Sequence, residues 1–178
     1  QKAIEDYSKA IELDPQDSNA YCNRGVCYHD LKEYQKAIED FTKAIELNTQ
    51  NCSAYCNRGN TYNHLKEYQK AIEDYSKAIE LDPQDCSAYN SRSLVYLHMK
   101  DYDKSIFDIS KAIEFNSQHP LIFFNRGFIF FVKEDFLKAL QDFDRSIQLD
   151  PKFAISYYYR GMTKLQPVVG RFEESSLD

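Results

Sequence analysis

QKAIEDYSKAIELDPQD, residues 1–17, returns letter for letter at residues 69–85. The offset of 68 is two periods of 34, and the copy in the intervening period reads QKAIEDFTKAIELNTQN, residues 35–51. More divergent copies follow at 103–119 (DKSIFDISKAIEFNSQH) and 137–153 (LKALQDFDRSIQLDPKF). A second segment recurs between them: AYCNRGVCYHDLKEY, AYCNRGNTYNHLKEY, AYNSRSLVYLHMKDY and IFFNRGFIFFVKEDF. These close on Tyr34, Tyr68, Tyr102 and Phe136, each 34 residues after the last. A fixed period of this length marks an array in which one supersecondary unit recurs and stacks.

Within a period, Tyr34, Ala37, Ile38, Phe41, Ala44, Ile45 and Leu47 fall mostly three and four apart, an apolar stripe on a helix. Lys36, Glu39, Asp40, Lys43 and Glu46 are expected on the opposite, solvated face, with Glu39–Lys43 as an i,i+4 pair. Ala20, Tyr21, Arg24, Gly25 and Tyr28 trace a second stripe on the preceding helix. Gly25, Gly59, Gly127 and Gly161, with small residues such as Ala37 and Ala71, let the paired helices approach closely. Asp-Pro at Asp14–Pro15, Asp82–Pro83 and Asp150–Pro151 closes one helix before the next begins.

The pattern resembles the tetratricopeptide repeat family, W-x2-L-G-x2-Y…A-x3-F…P. It is carried here by Tyr21, Arg24, Gly25, Tyr28, Ala37 and Phe41, by Tyr55, Arg58, Gly59, Tyr62, Ala71, Tyr75 and Pro83, and by Phe123, Arg126, Gly127, Phe130, Ala139, Phe143 and Pro151. The resemblance covers residues 1–161. Two departures recur: Tyr or Phe stands for the tryptophan, and Arg for the leucine before the glycine. The Arg stem is expected to pack along apolar surface with its head in water. The fold class expected is all-α, a superhelical α-solenoid of antiparallel helix pairs in one array with a concave inner wall. Residues 1–17 form an orphan second helix, and 18–51, 52–85, 86–119 and 120–153 are complete repeats. Residues 154–178 are a degenerate repeat, in which GRFEESS (170–176) resembles a second helix displaced through QPVV.

The chain carries 22 Lys and Arg against 28 Asp and Glu, a net charge of −6, which argues against nucleic-acid or anionic-membrane partners. The longest apolar stretch, 121–132, is too short to span a bilayer and contains Asn125 and Arg126. The chain opens at Gln1, inside a repeat, and reads as a fragment of a longer protein. Five cysteines (Cys22, Cys27, Cys52, Cys56, Cys86) are an odd number placed in helices or at their starts, which favours reduced thiols and a cytoplasmic or other reducing compartment.

The resemblance implies that ligands lie along the first helix of each repeat. By spacing from the glycine, that wall comprises Asn19, Cys22, Asn23, Val26, His29 and Asp30, then Ser53, Cys56, Asn57, Asn60, Asn63 and His64. It continues with Ser87, Asn90, Ser91, Leu94, Leu97 and His98, then Leu121, Phe124, Asn125, Phe128, Phe131 and Val132, then Ile155, Tyr158, Tyr159, Met162, Leu165 and Gln166. Asn23, Asn57 and Asn125 share one place, with Ser91 between them, and such amides can donate to and accept from a peptide backbone. The row resembles asparagine ladders of some tetratricopeptide superhelices. Up to His98 the wall is polar; from Leu121 it is apolar and aromatic. Phe124, Phe128, Phe131, Tyr158 and Met162 are expected either to receive a hydrophobic segment of a partner, or to be covered by further helices or a second copy of the chain in a homodimer. No Lys or Arg stands on the wall, so the carboxylate clamp that grips acidic chaperone tails is absent.

Cys52 and Cys56 are spaced i,i+4, but each wall histidine lies more than a turn beyond the cysteine of its repeat, so neither a zinc site nor a Cys–His nucleophile is expected. No phosphate-binding glycine motif occurs, and no cofactor is expected. The functional expectation is a non-catalytic scaffold that holds a peptide or partner helix through Asn23, Asn57, Asn90, Asn125 and the five apolar residues. The alternatives are a substrate-recruiting arm of a larger enzyme and a self-association module.

Overall fold

A 34-residue unit can bury two apolar stripes only by folding on itself and then stacking on its neighbours. The structure, a computed structural model, describes residues 2–167. All the elements among these residues are helices: α1 (Lys2–Leu13), α2 (Ser18–Asp30), α3 (Tyr34–Leu47), α4 (Cys52–His64), α5 (Tyr68–Leu81), α6 (Cys86–His98), α7 (Tyr102–Phe115), α8 (Pro120–Val132), α9 (Phe136–Leu149) and α10 (Ala154–Lys164). The fold class is therefore all-α, a solenoid of helix pairs. Even-numbered helices are the first of each pair and odd-numbered ones the second. The chain divides into two compact bodies, residues 1–95 and 96–178, with the division inside α6. The segment 170–176 lies outside the described residues.

Helix limits follow local chemistry. Asp17 caps α2 by accepting from Asn19 N and Ala20 N; Asn51 caps α4 and Asp85 caps α6 in the same way. First helices end in a Schellman turn: Glu33 N donates to Tyr28 O and Lys32 N to His29 O, with Lys32 at φ 62°. Lys66, Lys100 and Glu134 repeat that left-handed residue at 34-residue intervals. A three-residue connection then turns the chain back, so each pair is antiparallel.

In the N-terminal body Ala37, Phe41 and Ala44 of α3 are fully buried against α2 and α4, and Ala71, Tyr75 and Val95 form the next core. In the C-terminal body Ile129 and Phe143 are fully buried between α8 and α9. Phe41, Val95, Ile129 and Phe143 each contribute roughly 1.5–3 kcal/mol through removal from water, the alanines less. The glycines are the places where these rings sit. A Cβ on Gly25 would lie 2.7 Å from Phe41, on Gly59 3.0 Å from Tyr75, and on Gly127 2.8 Å from Phe143.

Two expectations about the charged residues require correction. The arginine before each glycine does not send its head to water. Arg24 Nε and Nη2 donate to both carboxylate oxygens of Asp40 (2.8 Å each), and Arg58 does the same to Asp74 (2.9 and 2.7 Å). Arg126 forks onto Asp142 (2.7 Å each). The remaining Nη1 reaches back 16 residues, to Ser8 from Arg24, to Thr42 from Arg58 and to Ser76 from Arg92. Arg24 and Arg58 thus each tie their own second helix to the one before. Asp40, accordingly, is not on the solvated face; it is buried, as are Asp74, Asp108 and Asp142. Its neighbours do face solvent, but Lys43 pairs with Glu46 and Glu39 accepts from Gln35 rather than from Lys43.

Candidate functional site

First helices expose one face once their other stripe is committed to the core, and in the N-terminal body that face is polar. Around α4 it holds two neighbouring hollows. One, of about 140 Å³, is lined by Val26, His29, Asp30, Phe41, Asn57 and Asn60. The other, of about 420 Å³, is lined by Cys52, Ser53, Cys56, Asn57, Asn60, Asp82, Asp85, Ser87 and Ser91. Asn57 and Asn60 line both.

The scaffold sets how these amides point. Tyr75, buried in the core, donates its hydroxyl to Asn60 Oδ1 at 2.6 Å and bonds Ser91 as well. Burial pushes the Tyr75 phenol above its usual range, so it stays protonated and able to donate. Asn60 is thereby held by its oxygen, which leaves its two amide N–H donors for the hollows. Asn57 donates to Cys22 Sγ at 3.8 Å. Asn23 is exposed; Asn57, Asn90 and Ser91 are half-buried. Cys22, expected on the wall, is buried in the core beneath it.

At the other end of α2, Thr61 Oγ1 donates its hydrogen to Asn57 O (2.8 Å), so the 2.9 Å contact with His29 requires His29 Nδ1–H to donate to Thr61. The His29 ring lies 5.0 Å from that of His64, which stacks on Tyr34 at 5.7 Å. Burial, and then the His64 charge, lower the His29 pKa, with Asp30 opposing.

The thiols are free and chemically quiet. Cys56 donates to Asp85 Oδ2 at 3.7 Å, and burial, with Asp85 adding to it, pushes its pKa to about 12. Burial also raises Cys22 and Cys52. Such thiols remain protonated at neutral pH; Cys52 and Cys56 donate, to Ala78 O and Asp85, and Cys22 accepts from Asn57. Among the described residues no three His, Cys, Asp or Glu side chains are grouped to hold a metal ion.

In the C-terminal body the apolar wall is filled largely from within. Phe124, Phe128 and Phe131 of α8 converge on Tyr159 of α10, with ring centroids 5.6, 5.1 and 5.7 Å apart. Phe124 also meets Phe143 and Phe153, and Phe131 meets Phe136. All three phenylalanines, and Met162, are half-buried. Asn125 is buried, 8% exposed, and so lies below the surface rather than on it. Tyr158, against Tyr159 at 5.3 Å, remains 61% exposed. The spacing had put Tyr159 on the same wall; it did not reveal that this ring would cover the phenylalanines. No helix among the described residues is long and apolar enough to cross a membrane.

The anchoring of the wall by Arg58–Asp74 and by Tyr75–Asn60 escaped the sequence reading. A signal for the first was present: Arg24/Asp40, Arg58/Asp74 and Arg126/Asp142 are each 16 residues apart.

Models of the tetratricopeptide repeat match residues 18–51, 52–85 and 75–107, and a further TPR repeat model matches 1–32. Among curated proteins no sequence matches. Among solved structures, the chain is similar to MamA at 27% identity, covering 85% of this chain and 88% of that one with a TM-score of 0.76. It is similar in fold to TTC0263, a thermophilic TPR protein of Thermus thermophilus, at 16% identity, 92% and 89% coverage and a TM-score of 0.77. The APC/C hetero-tetramer Cut9–Hcn1 shares the fold at 16% identity over 92% of this chain and 33% of that one, with a TM-score of 0.81.

Proposed function

Because this chain belongs to the tetratricopeptide repeat family, whose arrays are protein-interaction modules, we propose that it is a non-catalytic scaffold binding an extended peptide along the first-helix face of its N-terminal body. The observation that carries this reading is the pair of neighbouring hollows both lined by Asn57 and Asn60, with Asn60 held from beneath by Tyr75. An extended chain has an unpaired N–H and C=O at every residue, and fixed side-chain amides and hydroxyls satisfy them without reading its side chains. Pre-orientation matters because an amide that is already ordered loses little entropy on binding. Asn23, Asn57, Asn60 and Ser91 are the contacts assigned to the backbone. Five free thiols suit a reducing compartment such as the cytoplasm.

Amide-resolved NMR of the chain titrated with a mixture of random octapeptides tests this. Shifts centred on Asn57, Asn60 and Ser91, and weakened roughly tenfold in an Asn57→Ala/Asn60→Ala variant, are expected if two hydrogen bonds are lost. Shifts confined to α3 and α5 would refute it.

A second reading rests on the C-terminal body, where Leu121, Val132, Ile155 and Tyr158 stay exposed beside the Phe124, Phe128, Phe131 and Met162 cluster. That face suits a second copy of the chain. Light scattering that gives a monomer at every concentration would eliminate it.

A further inference from the structure

The two hollows of the N-terminal body are lined by three carboxylates, Asp30, Asp82 and Asp85, and by no lysine or arginine. None of the three forms an ion pair among the described residues, although the outer faces of the helices are laced with Lys–Glu pairs. The local work these carboxylates do leaves acceptor capacity free. Asp82 Oδ1 accepts from Gln84 N at 3.0 Å, which leaves Oδ2; Asp85 Oδ1 accepts from Ser87 N and Ala88 N, and Oδ2 takes only the long thiol contact from Cys56. A groove walled this way raises the local concentration of cations and repels anions.

The geometry points to an extended peptide carrying arginine or lysine side chains as the occupant of this groove. The inference rests on the peptide-binding reading above and adds the partner's charge. Its backbone lies on Asn57, Asn60 and Ser91, and its cationic side chains reach Asp30 on one side and Asp82 and Asp85 on the other. A guanidinium suits the second place best, since its planar fork can serve two carboxylates at once.

The chain itself supplies the variant that removes the charge without disturbing the turn. One period earlier, Asn48 stands where Asp82 does and accepts from Gln50 N at 3.0 Å; Asn51 stands where Asp85 does and caps α4 from Ala54 N at 3.0 Å. Asp82→Asn/Asp85→Asn therefore keeps the bond from Gln84 N and the cap on Ala88 N, asparagine being as good a cap as aspartate. Three fluorescein-labelled nonapeptides of alternating Ser-Arg, Ser-Gln and Ser-Glu, measured by anisotropy, make the test. Ser-Arg is expected to bind roughly tenfold or more tightly than Ser-Gln and to lose that advantage in the double variant, the scale of two partly solvated charge pairs. Its affinity should also fall between 50 and 500 mM salt. Equal binding of Ser-Arg and Ser-Gln overturns the charge assignment and leaves the groove reading intact; binding of none overturns both. Undiminished Ser-Arg binding by the double variant, or its displacement by equimolar spermine, also overturns the proposal.

Discussion

Replacing Arg58 by methionine isolates what the arginine fork does. The Asp74 side chain is 7% exposed and that of Arg58 18%, and the two share bonds of 2.9 and 2.7 Å. Methionine fills most of the arginine's volume but offers Asp74 no donor, so the carboxylate is left buried and unpaired. Breaking a pair of this kind from one side costs about 3–5 kcal/mol. Burial already holds the Asp74 carboxyl above its ordinary range, against the pull of Arg58. Removing Arg58 removes that pull and raises it further. A group whose pKa is higher folded than unfolded binds its proton more tightly in the folded state, so its stabilising contribution is present at low pH and lost as pH rises. The deficit of Arg58→Met should therefore be largest at neutral pH and shrink as pH falls toward 4.

Urea unfolding followed by circular dichroism at several pH values measures this, with amide hydrogen exchange locating the loss to α4 and α5, since repeat arrays can depart from two-state behaviour. Substituting both partners, Arg58→Met/Asp74→Leu, should restore stability to within ~2 kcal/mol of the parent at every pH, because no buried charge is stranded. A single-variant cost under ~1 kcal/mol, or one that does not change with pH, would mean that water reaches Asp74 and that the fork is a surface pair.

Three further outcomes follow from the same geometry. Gly127→Ala forces a methyl 2.8 Å from the Phe143 ring and should lower stability by about 1–3 kcal/mol, whereas Gly161→Ala, with nothing within 4 Å among the described residues, should be neutral or slightly stabilising in thermal melts. His29 is easier to protonate unfolded than folded, so stability should decline as pH falls through the ordinary histidine range toward its lowered folded value; His29→Gln should flatten that slope in urea titrations across pH 5–7.5. Tyr75→Phe should melt close to the parent, Phe41 and Phe143 filling the same place elsewhere. It should nonetheless weaken octapeptide binding a few-fold, by freeing Asn60 and Ser91.

The 34-residue period made the helices, their pairing and their apolar stripes legible in the sequence, because each is fixed by spacing and size alone. The Schellman turns were not: their left-handed position holds Lys32, Lys66, Lys100 and Glu134, where composition offers no glycine to flag it. The buried aspartates were missed for a related reason. Asp40 sits among Glu39, Lys43 and Glu46, which are solvated, and a charged helix position declares itself buried only through a partner on another helix. Tyr159 covering Phe124, Phe128 and Phe131 likewise depends on how α8 and α10 approach, which spacing within either helix cannot reveal.

In such an array the invariant letters and the variable letters do different work. Whatever recurs from period to period (the arginine and aspartate 16 apart in all four complete repeats, the small residues and the aromatic over glycine in most) is consumed in holding one pair to the next, and so distinguishes little of one part of the surface from another. Specificity has to come from places where one repeat departs from its neighbours. Tyr75 departs from Phe41 by a single hydroxyl, and that hydroxyl is the one that reaches Asn60 and Ser91. Asp82 and Asp85 depart from Asn48 and Asn51 chiefly by charge, the turn bond and the cap on the third residue being kept. Tyr75, Asp82 and Asp85 act around a single hollow, and none is needed for folding: the same letters stand at Tyr7, Asp14 and Asp17, while phenylalanine and asparagine do the structural job in the period between. Changes that leave the scaffold's chemistry equal while altering only what the groove presents are those by which a repeat protein can change partners without losing its fold.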